Sequence, residues 1–181
     1  MFNIYRTRVT IAEGDPLLIR AEGLLIAAND HLWMGGGTAG RVKQAGGEAI
    51  EVEAVRQGPV VLGSSVVTSA GELPFRRIYH VVVMGQDLKV RHDQIGPALA
   101  SSLKLASRDG LSSVLIAPLE SEDLIGPFHE ATRQVVATLF DRLADEKGIR
   151  EVILAAGRAE ARDAYRAAFL ELLGGGKPGA R

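Results

Sequence analysis

The sequence predicts an α/β fold in which helices cover both faces of a mixed β-sheet. Short apolar runs rich in β-branched residues alternate along the chain with segments whose apolar residues recur at helical spacing. Glycines and prolines mark the turns between them. The run GLLIAA, from Gly23 to Ala28, has no polar position, as expected of a strand that is covered on both faces.

The elements are predicted in a regular order. The predicted strands are RVTIAEG (8–14), GLLIAA (23–28), SSVVTSA (64–70), RRIYHVVVM (76–84), SSVLIAPL (112–119) and EVILAAG (151–157). Helical spacing predicts one helix near Thr38 and others over 92–110, 135–143 and 160–173. Helices of this length between strands favour parallel pairs, whereas the closeness of the first two strands, and of the third and fourth, indicates antiparallel or irregular connections.

The composition is that of an ordinary globular domain. The chain has 181 residues, of which 46% are hydrophobic and 24% charged. We expect one domain over residues 1–173 and a flexible tail over 174–181. No stretch approaches the roughly 18 apolar residues of a membrane span, and the first residues lack the apolar core of a secretory signal, so we expect a cytoplasmic location.

Charge and cysteine content exclude several classes of function. With 21 basic and 22 acidic side chains, the chain lacks the positive field that gathers nucleic acid, so neither a nucleic-acid nor a membrane partner is expected. The absence of cysteine removes disulfides, thiolate nucleophiles and zinc–thiolate sites. The four histidines show no metal-binding spacing, and we expect no cofactor and no resident metal.

Three consecutive glycines, Gly35 to Gly37, follow the most apolar strand and precede a helix. Without Cβ atoms they let backbone N–H groups approach a ligand closely, and the helix N-terminus adds further N–H groups, so the segment is typical of a phosphate or diphosphate site. Asn29, at the end of that strand, offers both a donor and an acceptor to a ribose hydroxyl. The alternative is a tight connection with no ligand. The spacing matches neither the dinucleotide fingerprint nor the Walker pattern.

Four segments in order resemble the motifs of the macro domain family. They are EGD (13–15), EGLLIAAN (22–29), GGGTAG (35–40) and GELPFRRIYHVVV (71–83). The resemblance covers most of the chain, from Arg8 to Gly157. It implies an α/β, three-layer α/β/α sandwich with a central mixed sheet and a cleft for ADP-ribose or related nucleotides. Some members of that family only bind, whereas others hydrolyse ADP-ribose esters of proteins or O-acetyl-ADP-ribose.

The resemblance also implies roles for individual residues. Asp15 would accept a hydrogen bond from the adenine amino group, Asn29 would lie near the distal ribose, and His80 would be a packed strand histidine rather than a catalyst. The ligand-binding positions implied are Asp15, Ala27, Ala28, Asn29, Gly35, Gly36, Gly37, Thr38 and Ala39, with Ser121 and Gly126 in a second phosphate loop. The catalytic residues are left unassigned.

Three departures from the family pattern fall in the expected cleft. Pro16 replaces an isoleucine whose N–H meets an adenine ring nitrogen, and proline has no such donor. Ile26 replaces the first asparagine of the family's NAAN motif. Ala39 stands where the hydrolytic branch carries an aspartate, so the base of that branch is absent.

The second phosphate loop, PLESEDLIGPF from Pro118 to Phe128, is unusually acidic. Glu120, Glu122 and Asp123 lie where the family wraps a diphosphate with backbone amides. Like charges about 4 Å apart repel by ~4 kcal/mol at an effective dielectric constant near 20, so inward-facing carboxylates would disfavour the diphosphate. Two alternatives stay open: the carboxylates face solvent, or they hold a divalent cation through oxygen ligands.

The sequence therefore favours a domain that binds an ADP-ribose-type small molecule or an ADP-ribosylated protein without efficient hydrolysis. One alternative is a hydrolase of the same fold acting on ADP-ribose derivatives. Another is a degenerate domain that binds another ligand or a protein partner, for which the acidic loop and Pro16 are the evidence. Trp33 is either a stacking platform at the cleft or a plug over the core, and His31 beside it is equally ambiguous.

Overall fold

The structure is a computed structural model that describes residues 1–120 and 128–174. The strands are β1 (Phe2–Ile4), β2 (Thr7–Glu13), β3 (Gly23–Asn29), β4 (Ser65–Thr68), β5 (Arg77–Met84), β6 (Ser113–Ile116) and β7 (Glu151–Ala156). The helices are α1 (Gly37–Gly46), α2 (Ala49–Val55), α3 (His92–Arg108), α4 (Phe128–Arg142) and α5 (Ala159–Gly174). A short 3-10 helix, Pro16–Leu18, follows β2.

The strands form one mixed sheet in the order β1-β2-β7-β6-β3-β5-β4. The five central strands are parallel, and β1 and β4 are added antiparallel at the two edges. β3 lies between two parallel neighbours: Ile26 pairs with His80 of β5, and Leu25 pairs with Ile116 of β6. Because the carboxyl ends of parallel strands lie along the same side of the sheet, the segments that follow β3, β5 and β6 lie next to one another.

Helices cover both faces of the sheet. Leu25 packs in an apolar cluster with buried residues of α3, α4 and α5, whereas Leu24 and Ile26 pack in a second cluster with Val42 of α1 and Ile50 of α2. Alternate residues of one strand therefore contribute to opposite layers, as the pleat requires. This arrangement is the predicted three-layer sandwich with a mixed central sheet.

The six strands expected from the sequence are all present, and the antiparallel pairing of β4 with β5 is confirmed. Between β2 and β3 the sequence predicts an antiparallel or irregular connection, and the antiparallel alternative is wrong. β2 pairs with β1 and β7, and it runs parallel to β3, from which β7 and β6 separate it. The three-residue strand β1 and the seven-residue helix α2 were not predicted, because elements so short carry little periodic signal.

The C-terminal helix α5 includes Gly174, the first residue of the predicted tail, and residues 175–181 lie outside the described part of the chain. Across residues 1–120 and 128–174, every helix is too short or too polar to span a bilayer.

Candidate functional site

The segment between β3 and α1 is held by the side chain of Asn29, the last residue of β3. Its Oδ1 accepts from the N–H groups of His31 (3.1 Å) and Trp33 (3.2 Å), and its Nδ2 donates to the carbonyl of Trp33 (2.8 Å). Asn29 as a whole residue is 4% exposed. Asn29 therefore shapes the loop that leads to the glycines. Only the hydrogen-bonding capacity of its amide that these three bonds leave free would be available to a ribose.

The residues before Asn29 belong to the core. Ile26 is completely buried in the cluster beneath α1, and Ala28 is buried in a third cluster with Leu32 and Ala54. Ala27 is partly buried against the opposite helical layer. The apolar side chain of Ile26 thus fills the core instead of replacing a polar group in an open cleft.

Trp33, which is exposed, and His31, which is partly buried, form an aromatic pair at the rim of this loop. Their ring centroids are 4.8 Å apart, and Trp33 is 51% exposed, so it is not a plug over the core. His31 Nδ1 lies 2.9 Å from Asp30 Oδ1, and Gln86 Nε2 lies 3.3 Å from His31 Nε2. These contacts fit an imidazole that donates from Nδ1 to the carboxylate and accepts from the amide at Nε2.

The glycine segment begins at a well-anchored residue. Met34 is buried, and its N–H donates to Glu51 Oε1 of α2 (2.6 Å). The other oxygen of Glu51 accepts from Lys43 of α1 (3.0 Å). Burial, the largest single influence, raises the pKa of Glu51, but the hydrogen bonds from Met34 and Lys43 together outweigh it and hold the pKa below its usual value. One carboxylate therefore fixes where the glycines start relative to both helices.

Gly35, Gly36 and Gly37 are exposed, and a Cβ at any of them would meet nothing within 4 Å. Only Gly37 has a left-handed φ, of +55°. Gly36 is extended, with φ −164° and ψ −176°, and any residue adopts that conformation. Neither the backbone conformation nor the packing of the described residues requires glycine at 35 and 36.

The N-terminus of α1 offers N–H groups beside these glycines. The first helical hydrogen bond runs from the N–H of Gly40 to the carbonyl of Gly36 (2.8 Å), so the N–H groups of Gly37, Thr38 and Ala39 have no partner within the helix. Gly36 at the N-cap gives no side-chain cap, and the first turn has no acidic residue. The partial positive charge of this helix end is therefore available to an anion.

Asp15 is the N-cap of the 3-10 helix that follows β2, and both of its carboxylate oxygens are engaged. Oδ1 accepts from the N–H of Leu17 (2.9 Å), and Oδ2 accepts from Arg41 Nη2 of α1. The hydrogen bond from Leu17, followed by that from Arg41, lowers the pKa of Asp15, so the group is ionised at neutral pH. Asp15 shapes a turn and also joins that turn to α1.

Of the predicted second phosphate loop, 118–128, the structure describes Pro118 to Glu120 and Phe128, the first residue of α4. The side chain of Glu120 is 10% exposed, and its Oε1 accepts from Nε2 of His92 (2.9 Å), the first residue of α3. Oε2 is buried without a hydrogen-bond partner among the described residues. The predicted site residues Ser121 and Gly126, and the acidic residues Glu122 and Asp123, lie outside the described part of the chain. Glu120 is therefore directed at α3 and does not belong to a solvated acidic surface.

His80 is packed as predicted. It is 1% exposed, and Nε2 lies 3.0 Å from Thr68 Oγ1 of the neighbouring strand. Burial lowers the pKa of His80 to about 4, against the weaker opposing effect of the Glu53 charge, so the ring is neutral at physiological pH.

Metal-binding clusters and surface cavities are the other kinds of candidate site to consider among the described residues. Within residues 1–120 and 128–174, no group of three or more acidic or histidine side chains could hold a metal ion. Two surface cavities, of about 240 and 460 Å³, lie near the amino ends of the strands, whereas the glycine segment follows the carboxyl end of β3. Arg76, Arg77, Asp109 and Leu111 line the larger one.

Three contacts at this edge were not predicted from the sequence: the pairing of Arg41 with Asp15, that of His92 with Glu120, and the anchoring of Met34 by Glu51. Each joins residues from different elements. No local pattern in the sequence signals such partners, because the order of the strands decides which segments meet.

Comparison with known proteins gives a consistent result. The family model described as Macro domain matches residues 26–135. An uncharacterized protein of Aeropyrum pernix is 33% identical over 167 residues, which cover 92% of this chain and 87% of that protein. O-acetyl-ADP-ribose deacetylase 1 of Pantoea vagans is 29% identical over 165 residues, which cover 87% of this chain and 96% of that protein.

A solved structure shares the fold. The Trypanosoma brucei macrodomain in complex with ADP-ribose superposes with a TM-score of 0.78 at 21% identity, covering 89% of this chain and 68% of that one. At that level of identity the likeness concerns the fold alone.

Proposed function

Because the chain belongs to the macro domain family, we propose that it binds ADP-ribose or a related nucleotide, free or attached to a protein, without efficient hydrolysis. The observation that carries the proposal is the pair Gly35 and Gly36. They are exposed and unstrained, and no described side chain is near enough to exclude a larger residue. A ligand that must approach the backbone closely explains both glycines, whereas folding does not.

The proposed contacts follow from the groups available at this end of the sheet. The N–H groups of Gly35, Gly36, Gly37, Thr38 and Ala39 would donate to the diphosphate, since they lie at the N-terminus of a helix whose first turn has no acidic residue. Asn29 and the backbone of Ala27 and Ala28, at the end of β3, would lie nearest the distal ribose. Asp15 would receive the adenine amino group, and Ser121 and Gly126 of the second loop would complete the diphosphate contacts.

Binding without efficient hydrolysis is proposed because the first turn of α1 carries no acid that could activate water. A relative named O-acetyl-ADP-ribose deacetylase makes hydrolysis the second candidate. A turnover assay on O-acetyl-ADP-ribose and on ADP-ribosylated protein separates the two. Sustained product release by the wild-type protein would favour the hydrolase.

Binding is tested by isothermal titration of ADP-ribose into the wild-type protein, Gly35→Val and Gly174→Val. A valine at either position has open space around its Cβ, and neither glycine has a left-handed φ, so the fold should tolerate both. We expect Gly35→Val to lose at least about tenfold in affinity, since its side chain occupies the space of the phosphate and displaces its hydrogen bonds. Gly174→Val, at the end of α5, should bind like the wild type.

Absence of heat from the wild-type protein at millimolar ADP-ribose would contradict the proposal and favour a degenerate site. In that case Glu122→Thr together with Asp123→Gly should create binding that the natural chain lacks, because these changes remove two carboxylates from the second loop.

A further inference from the structure

Arg41 connects the helix that begins at the glycines to the residue proposed to receive the base. It lies one turn after Gly37 in α1, and its Nη2 donates to Asp15 Oδ2. Its side chain is 47% exposed, and that of Asp15 is 34% exposed. The hydrogen bond to Asp15 uses Nη2, and the guanidinium carries further N–H donors at Nε and Nη1. The pair therefore presents a carboxylate and guanidinium donors side by side at the surface.

The backbone next to Asp15 offers a ligand no equivalent donor. Pro16 has no N–H. The N–H of Leu17 is used by Asp15 Oδ1 (2.9 Å), and the N–H of Leu18 is used by the carbonyl of Asp15 (3.0 Å). A base that rests against this turn would find an acceptor in Asp15, and Arg41 is the donor bound directly to that acceptor.

We propose that Arg41 is a specificity-determining residue that donates to the ring nitrogen N1 of adenine while Asp15 accepts from the 6-amino group. This inference rests on the proposed function, since it places the base of the nucleotide at Asp15. Adenine presents a donor at position 6 and an acceptor at N1, and the pair presents the complementary acceptor and donor. Hypoxanthine presents the reverse, a carbonyl at position 6 and an N–H at N1, so both contacts become repulsive.

The ionised state of Asp15 supports this arrangement. The lowered pKa of its carboxyl group means that it accepts hydrogen bonds at neutral pH and does not donate. A guanidinium carries only hydrogen-bond donors and no acceptor. The donor and acceptor roles of the pair are therefore unchanged over the pH range in which binding would be measured.

The test compares ADP with IDP, which differ only in the base, by isothermal titration into the wild-type protein, Arg41→Ala and Arg20→Ala. We expect the wild type to prefer ADP by at least about tenfold, because a site that hydrogen-bonds the ligand rejects an analogue that leaves its groups unpaired. Arg41→Ala should lower the affinity for ADP about tenfold and change that for IDP by less than about threefold. Arg20→Ala removes the same charge from an exposed residue near the 3-10 helix and should keep the wild-type preference.

Three outcomes would show this inference to be wrong. A gain in ADP affinity in Arg41→Ala would mean that Arg41 competes with adenine for Asp15. An equal loss for ADP and IDP would mean that Arg41 supplies only charge. Equal binding of both nucleotides by the wild type would mean that the pair does not read the base. Failure of the wild type to bind ADP-ribose at all would instead contradict the proposed function, and this inference would fall with it.

Discussion

His80 shows how a polar side chain is accommodated at the centre of the sheet. It lies on β5, next to Ile26 of β3, with one ring nitrogen bonded to Thr68 and the other without a partner among the described residues. A charged imidazole there would have to give up its hydration without a compensating anion in contact, which is why its pKa falls to about 4. The neutral form is therefore the one that the fold accommodates.

This environment predicts a specific acid sensitivity. The folded-state pKa of about 4 lies below the unfolded value of about 6.5. The stability that comes from neutral His80 is therefore present above about pH 6.5 and is lost as the pH falls toward about 4, because the unfolded chain takes up the proton first. We expect this loss to reach on the order of 3 kcal/mol in the wild type and to be absent from His80→Gln.

Urea unfolding at about pH 7 and about pH 4.5 measures the effect, and subtracting the loss seen in His80→Gln removes the contribution of the other titrating groups. Equal losses in the two proteins would show that His80 does not take up its proton on unfolding.

At the scale of elements, the end of α1 is tied to the turn between β4 and β5 by two glycines. The carbonyl of Gly46 accepts from the N–H of Glu72 (3.0 Å), and a Cβ on Gly71 would lie 1.9 Å from that carbonyl oxygen. Gly71 also has a left-handed φ of +54°. The sequence marks Gly71 as a turn residue, but the close approach of α1 is visible only in the fold.

This contact predicts that Gly71→Ala lowers the free energy of unfolding much more than alanine at a left-handed glycine position usually does. Gly110 is the matched control, because its φ is +71° and a Cβ there meets nothing within 4 Å. Gly110→Ala should lower the free energy of unfolding by about 1 kcal/mol, the cost of the conformation alone. Gly71→Ala should lower it by at least about 3 kcal/mol, because α1 must also move away from the turn. Denaturant unfolding of both variants measures the difference. Similar losses of unfolding free energy would mean that α1 moves away from the turn at little energetic cost, and the prediction would be wrong.

At the scale of the whole molecule, the proposed site joins segments from distant parts of the chain. Asp15 follows β2 at one side of the sheet, the glycines follow β3, and both segments pack over the same apolar cluster through Leu17 and Val42. A ligand that contacts both segments binds the folded chain and not the unfolded one, so its binding energy adds to the free energy of unfolding.

We therefore expect ADP-ribose at a free concentration of about 100 times its dissociation constant to raise the free energy of unfolding by about 2.7 kcal/mol. Guanidinium unfolding with and without the ligand measures this shift. The same ligand concentration should stabilise Gly35→Val by no more than about 1.4 kcal/mol, because a tenfold loss of affinity leaves that variant at about ten times its dissociation constant. An equal shift in both proteins would place the ligand somewhere other than the glycine segment.

The sequence by itself determined the α/β class, the six longer strands and the glycine segment at a strand end. These features are local: the period of the apolar residues reports strand or helix, and the absence of a Cβ is a property of the residue itself. The ordered macro domain motifs extended this to the mixed three-layer sandwich, which the structure shows.

Only the tertiary structure decided the order of the strands and the partners of the polar side chains. Asp15 and Arg41 are 26 residues apart in sequence, and His92 and Glu120 are 28 apart, yet each pair is in contact. Such contacts depend on which strands are neighbours, and that order is set by how the apolar faces of all the elements are buried together. The glycines are therefore evident from the sequence itself. The contact of Arg41 with Asp15 depends on the position of α1 over the sheet, which only the tertiary structure provides.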